Sequence, residues 1–191
     1  MKPGRPNFIV GIGSSAGGLS ASKALLDALS SDTGMAFVFV AHLLPTAHSQ
    51  LALILSRHTT MTTLLAANAM PIQANHVYVI PSNADLLIEN FIFKVVTPRL
   101  RRNTQIDVFL TSLAEAMGAH AIGVILSGYD GDGTEGCRHI KAKGGTTFAQ
   151  DGSAEVKHMP LSAQAIGCID FVLPPDEISG KLQSLARNSS V

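Results

Sequence analysis

A serine, a histidine and an aspartate can together carry out acyl transfer, and in this chain each follows a short apolar run. The stretch GIGSSAGG (11–18) comes directly after Phe8-Ile9-Val10. It contains Gly13-Ser14-Ser15-Ala16-Gly17, a G-x-S-x-G frame with Ser15 at its tip. His42 follows AFVFVA (36–41), and the run Ser127-Gly128-Tyr129-Asp130-Gly131-Asp132-Gly133 follows AIGVIL (121–126). A serine hydroxyl becomes a competent nucleophile when a histidine takes its proton, and a carboxylate holds that histidine in the required tautomer. The same glycine stretch has a second reading. Gly11-x-Gly13-x-x-Ala16 satisfies the relaxed dinucleotide fingerprint, in which backbone N–H groups cradle a phosphate.

The elements that must position these residues alternate along the chain. Buried strands are predicted at 8–12, 36–41, 77–80, 121–126, 146–149 and 170–173. Helices are predicted at 18–30, 48–57, 106–118, 134–143, 160–167 and 176–186. In 18–30, Leu19, Ser22, Leu25, Leu26 and Leu29 lie close to helical spacing, and 106–118 is amphipathic and stops at Gly118. The segment 86–96 reads as a hairpin turning near Glu89-Asn90. Near-continuous apolar strands alternating with helices predict an α/β fold: a mostly parallel, doubly wound, Rossmann-like three-layer α/β/α sheet with one antiparallel hairpin insertion. Ligands in such sheets bind beyond the carboxyl ends of the strands, where the serine, histidine and aspartate stand.

The phosphate reading needs an acidic residue at the end of the second strand to hold a ribose. That strand ends in Ala41-His42, and no Asp or Glu occurs between Asp32 and Asp85. The serine reading is therefore favoured. Bulk composition excludes other classes. Charged residues are only 15% against 46% hydrophobic, which argues for a well-buried chain of one domain and against disorder. Fourteen basic residues balance fourteen acidic ones and Trp is absent, so no nucleic-acid signature is present. Cys137 and Cys168 lack metal-like spacing and read as idle thiols in a reducing compartment. No apolar stretch approaches the roughly 20 residues of a membrane span, and no signal peptide is legible, so a cytoplasmic location is expected.

GSSAGG after the first strand, AHLLP after the second, LSGYDGDGTEG after a later one, then AQD and HMP resemble the catalytic domain of the bacterial chemotaxis receptor protein-glutamate methylesterases. The resemblance runs over 8–182 and is closer to the type fused to a receptor methyltransferase. It implies hydrolysis of glutamate γ-methyl esters on the cytoplasmic helices of chemoreceptors, with methanol released; some relatives also deamidate receptor glutamines. By motif, Ser15 is the nucleophile, His42 the general base and then acid, and Asp132 the carboxylate that orients His42. The backbone N–H groups of Ala16 and Tyr129 are the oxyanion donors, and Gly131 and Met159 line the site. No metal or organic cofactor is implied. One catalytic domain is expected over 1–191, with a core at about 8–186 and no receiver domain. Partners expected are methylated receptor helices and a receptor methyltransferase.

The chain departs from this pattern at Tyr129, where methionine is usual, and at Asp130, where the residue is usually small or neutral. Two ionised carboxylates, Asp130 and Asp132, in a poorly solvated site would repel and raise one pKa. Thr104-Gln105 also replaces a usual proline before Ile106-Asp107. A catalytically silent, receptor-binding domain is the alternative that these departures leave open. His58, His76, His120 and His139 read as ordinary surface residues, His48 as a helix-end residue, and His158 as a lining residue beside Met159. Arg99-Leu100-Arg101-Arg102 reads as a solvated loop or as a positive stripe that guides acidic helices.

Overall fold

The computed structural model describes residues 4–43 and 50–188. Seven parallel strands form one sheet in the order β3-β4-β2-β1-β7-β8-β9. They are β1 (Ile9–Ser14), β2 (Ala36–Ala41), β3 (Thr62–Leu65), β4 (His76–Val79), β7 (Ala121–Ile125), β8 (Thr146–Gln150) and β9 (Phe171–Leu173). A separate antiparallel pair, β5 (Asp85–Glu89) and β6 (Ile92–Val96), is the predicted hairpin. Its connecting residues Asn90 and Phe91 both have positive φ, 53° and 62°, as a two-residue I′-type turn requires. The α-helices among the described residues are α1 (Gly18–Asp27), α2 (Leu51–Leu55), α3 (Gln105–Met117), α4 (Thr134–Ala142), α5 (His158–Ala165) and α6 (Pro175–Asn188). Among the described residues, no helix is long and apolar enough to cross a membrane.

Strand alternation sorts the apolar residues onto two faces. Val10 and Ile12 of β1, Phe37 and Phe39 of β2, and Ile122 and Val124 of β7 belong to the core that includes Leu25 and Leu26 of α1 and Ile178 and Leu182 of α6. Ile9, Val38, Val40 and Ile125 belong to the opposite core, with Ile106, Phe109, Leu110 and Leu113 of α3. Complete burial of each such side chain contributes about 1.5–3 kcal/mol. Gly11 and Gly13 share that second face. A Cβ at Gly11 would lie 2.5 Å from Leu110 Cδ2, and one at Gly13 would lie 2.4 Å from Ile106 Cγ2. These two glycines lie inside the strand and let α3 rest on it, which removes them from any phosphate-binding loop.

The structure differs from these expectations in three details. The edge strand β3 was not anticipated, because Thr62–Leu65 is short and mostly exposed. Leu19 is 39% exposed although its spacing placed it on the buried stripe. The predicted helix 48–57 is observed as Leu51–Leu55, with 48 and 49 outside the described residues.

The strand order reverses direction between β1 and β7. β1 leads outward to β2 on one side, and β7 leads outward to β8 on the other. A crevice opens at such a switch point beyond the carboxyl ends of the two strands. The loops after β1 and β7 carry Ser15 and Asp132.

Candidate active site

Ser15 is the first residue after β1 and sits in a tight turn that ends in α1. Its N–H donates to Ser127 O at 2.9 Å, and its carbonyl accepts from Gly18 N at 2.9 Å. Ser127, fully buried after β7, pins the other side of the turn by donating its hydroxyl to Ala16 O at 2.7 Å. Gln150 Oε1 accepts from Ser127 N at 3.0 Å and fixes that serine in turn. The left-handed residue of the turn is Gly17, at φ 75°, and Ser15 itself has no positive φ. Space excludes a side chain at 17 as well, since a Cβ there would meet Ser127 Oγ at 2.5 Å. Ser14, the neighbouring serine, is buried as the last residue of β1 and packs against Gly18. Among the described residues, neither the backbone N–H of Ala16 nor that of Tyr129 has an acceptor, and no side chain caps α1.

His42 follows β2, whose register pairs Ala41 with Ser14. Its backbone N–H donates to Ser14 O at 3.3 Å, so the histidine and the serine turn are adjacent along the sheet edge. His42 Nε2 lies 2.7 Å from Asp132 Oδ2. The Asp132 side chain is fully buried, and the His42 side chain is 9% exposed. Asp132 receives two further bonds: Ile106 N donates to Oδ2 at 3.0 Å and Asp107 N donates to Oδ1 at 2.8 Å. An ionised carboxylate only accepts, so His42 Nε2 carries the proton and Nδ1 is the nitrogen free to take another. Ser15 Oγ has no hydrogen bond to His42 among the described residues. Serine–histidine contacts often close only when substrate binds.

Asp130 stands on the other side of the imidazole, with Oδ2 3.7 Å from His42 Nδ1. It takes the left-handed conformation, φ 63°, which aspartate tolerates better than most residues. Its Oδ1 accepts from Asp132 N at 3.0 Å, a local turn that shapes the loop. The second carboxyl that Asp132 meets is Asp107 rather than Asp130. Asp107 Oδ1 accepts from Gly133 N at 2.9 Å and Gly136 N at 2.8 Å. Burial, and then the nearby Asp132 charge, push the Asp107 carboxyl up to about 6 against the lowering effect of those two N–H bonds.

The other expected lining residues are placed unequally. Tyr129 is 63% exposed beside the turn. Met159 is fully buried, and its thioether packs under Gly128, whose Cβ would also touch Ser15 Cβ. Gly131 is exposed, and the side chains nearest it are Ser162 and Thr134, so it sits on the outer side of the loop. His158 Nδ1 bonds to Asp130 O at 2.9 Å. His58 pairs with Asp27, His76 bonds to Ala74 O, His120 packs on Phe8 and His139 bonds to Glu135 O; His48 lies outside the described residues. The basic loop adjoins the histidine: Arg99 Nη1 donates to Leu43 O at 3.3 Å, and Leu100 N donates to the buried Asp85. Sequence reasoning missed Asp107, Gln150 and the role of Ser127. The only signal for Asp107 is an acid in the first turn of a helix, a common feature of helix starts.

The family described as CheB methylesterase matches residues 10–182. A Rhizobium meliloti protein-glutamate methylesterase/protein-glutamine glutaminase of group 3 operon is 31% identical over 195 residues, which is 97% of this chain and 53% of that protein. A protein-glutamate methylesterase/protein-glutamine glutaminase 1 of Pseudomonas fluorescens is 33% identical over 187 residues, 95% of this chain and 56% of that one. The chain thus spans about half the length of these two relatives, whereas it covers 94% of a Leptospira interrogans relative at 33% identity. The crystal structure of the Thermotoga maritima CheB methylesterase catalytic domain superposes with a TM-score of 0.85 at 30% identity, covering 93% of this chain and 98% of that one. The match extends from β1 to α6 and takes in both loops at the switch point; the chain belongs to the CheB methylesterase family.

Proposed function

We propose that this chain is a serine hydrolase that removes the methyl group from glutamate γ-methyl esters of chemotaxis receptors and releases methanol. The observation that carries this reading is the 2.7 Å bond between His42 Nε2 and the buried Asp132, beside the Ser15 turn, in a chain of the methylesterase family. In this mechanism Ser15 Oγ attacks the ester carbonyl and His42 Nδ1 takes its proton. Asp132 holds the imidazole and stabilises the imidazolium that forms. The developing oxyanion faces the free N–H groups of Ala16 and Tyr129, near the positive end of α1. Each such donor lowers the barrier by about 3 kcal/mol in comparable hydrolases. His42 then gives its proton to the departing methoxide, which leaves as methanol. A water, deprotonated by His42, attacks the acyl-serine and releases the glutamate carboxylate and free Ser15. Deamidation of receptor glutamines follows the same course with ammonia leaving.

The substrate proposed is the cytoplasmic helix of a receptor, rich in glutamate, so the enzyme works in the cytoplasm. The exposed Arg101 and Arg102, next to the anchored Arg99, support approach of an acidic partner although the chain as a whole is neutral. A receptor methyltransferase is the second partner proposed. One catalytic domain with its core at about 8–186 suffices for this chemistry.

The test is methanol release from a methylated receptor fragment by the native chain and by Ser15→Ala. Removing the nucleophile of a triad hydrolase lowers turnover by about 10⁶-fold. Release by the native chain alone is expected. No release by either, from folded protein, would favour the silent receptor-binding domain.

A further inference from the structure

Two helices start within one hydrogen-bond length of the candidate site, and each is capped by an acid that belongs to the other's neighbourhood. Asp132, in the loop leading into α4, accepts from Ile106 N and Asp107 N at the start of α3. Asp107, in the first turn of α3, accepts from Gly133 N and Gly136 N at the start of α4. Neither helix has its own N-cap residue bonded by a side chain. The four bonds form a closed, reciprocal clasp. Among the described residues, the third bond to the Asp132 carboxylate comes from His42. Gly133, at φ 95°, fits this clasp because a Cβ would lie 2.5 Å from Ile125 Cδ1.

We propose that Asp107 is a positioning residue: by holding the start of α4 against the start of α3, it fixes the carboxylate of Asp132 that holds His42. This goes beyond the triad reading and rests on it. Asp107 touches no reacting atom and acts through Asp132. The groups that face it are few. Asp132 comes from the loop before α4, and the fully buried Cys137 comes from α4 itself, its thiol pushed up by burial and by the Asp107 charge. His42 lies one bond further on, beyond Asp132. Asp107 is the carboxyl that takes up a proton as the pH falls toward 6. A protonated Asp107 can then donate to Asp132 while Oδ1 still accepts from α4. Asparagine reproduces that arrangement at every pH, with Oδ1 as acceptor and Nδ2 as donor.

The test compares Asp107→Ala and Asp107→Asn, each in the parent and in an Asp132→Asn background. Asp107→Ala is expected to lower kcat for methanol release by about 10²-fold, the cost of a misplaced catalytic group, with KM unchanged. The loss should largely vanish in the Asp132→Asn background, because residues acting as a unit are non-additive. Asp107→Asn should recover most of the lost kcat. The downfield proton resonance of His42 Nε2–H should disappear in Asp107→Ala and persist in Asp107→Asn. An equal loss in both backgrounds, or an unchanged resonance in Asp107→Ala, overturns the proposal. If Asp107→Ala does not fold, the pH dependence of unfolding of Asp107→Asn decides. The Asp107 carboxyl is raised in the folded chain, so the native state of the parent binds the extra proton. The contribution of Asp107 to parental stability therefore falls as pH rises from about 4 to about 6 and is level above. The difference in stability between the parent and Asp107→Asn should carry that step, and a difference that is flat between about pH 4 and about pH 6 overturns the proposal. The resonance and the unfolding curves need no substrate, so a parent inactive on methyl esters counts against the proposed reaction and leaves Asp107 separately tested.

Discussion

The turns after β1 and β7 are built alike and used in opposite ways. Each runs from a central parallel strand into a helix, and each helix is preceded by a glycine in the left-handed region, Gly17 at 75° and Gly133 at 95°. At α4 the helix start is filled by the Asp107 carboxylate, and at α3 by Asp132. At α1 no side chain caps the helix and its first turn holds no acid. Helix starts carry unsatisfied N–H groups and partial positive charge. Two of these are spent on holding an acid in place. The third is left open beside Ser15, where negative charge would develop in ester hydrolysis. A filled helix start stabilises a fold, while an empty one is available to a ligand.

Breaking the filled side at its centre should have the largest effect. Asp132→Asn places an amide where three N–H groups donate, and the corresponding change in a triad hydrolase lowers turnover about 10⁴-fold. Steady-state kinetics on a methylated receptor fragment checks this, and thermal unfolding should show a lower midpoint because the amide nitrogen cannot accept one of the two α3 N–H bonds. Disturbing the open side should cost less. Gly17→Ala forces a Cβ at positive φ toward Ser127 Oγ, with a stability loss of about 1 kcal/mol or more and a lower kcat. A denaturant midpoint and kcat measured on the same sample separate the two effects. A pair remote from both turns sharpens the contrast. Lys143 and Glu115 meet at 2.9 Å but are largely exposed, so Lys143→Ala should change stability by less than about 1 kcal/mol and leave kcat alone.

Much of this arrangement was legible in the sequence. Apolar strands read as two-faced, and the alternation of Val10 and Ile12 with Gly11 and Gly13 reflects a sheet packed on both sides. The carboxyl ends of parallel strands then directed attention to Ser15, His42 and the 127–133 loop. The edge strand β3 was not legible, because its residues lack the burial that marks strands in sequence. The clasp was not legible either. Asp107 and Asp132 are 25 residues apart, and nothing in either local motif states that their helices start side by side. The expected repulsion fell on the sequence neighbours Asp130 and Asp132. The folded chain instead gives Asp130 a local turn and brings Asp132 against Asp107.

The most direct test of the central claim, that Ser15 is a nucleophile activated by His42, is covalent labelling with a fluorophosphonate followed by peptide mapping. The account predicts one adduct on Ser15, formed by the native chain and lost in His42→Ala. An adduct on the buried Ser14, or labelling that survives His42→Ala at the native rate, would contradict it.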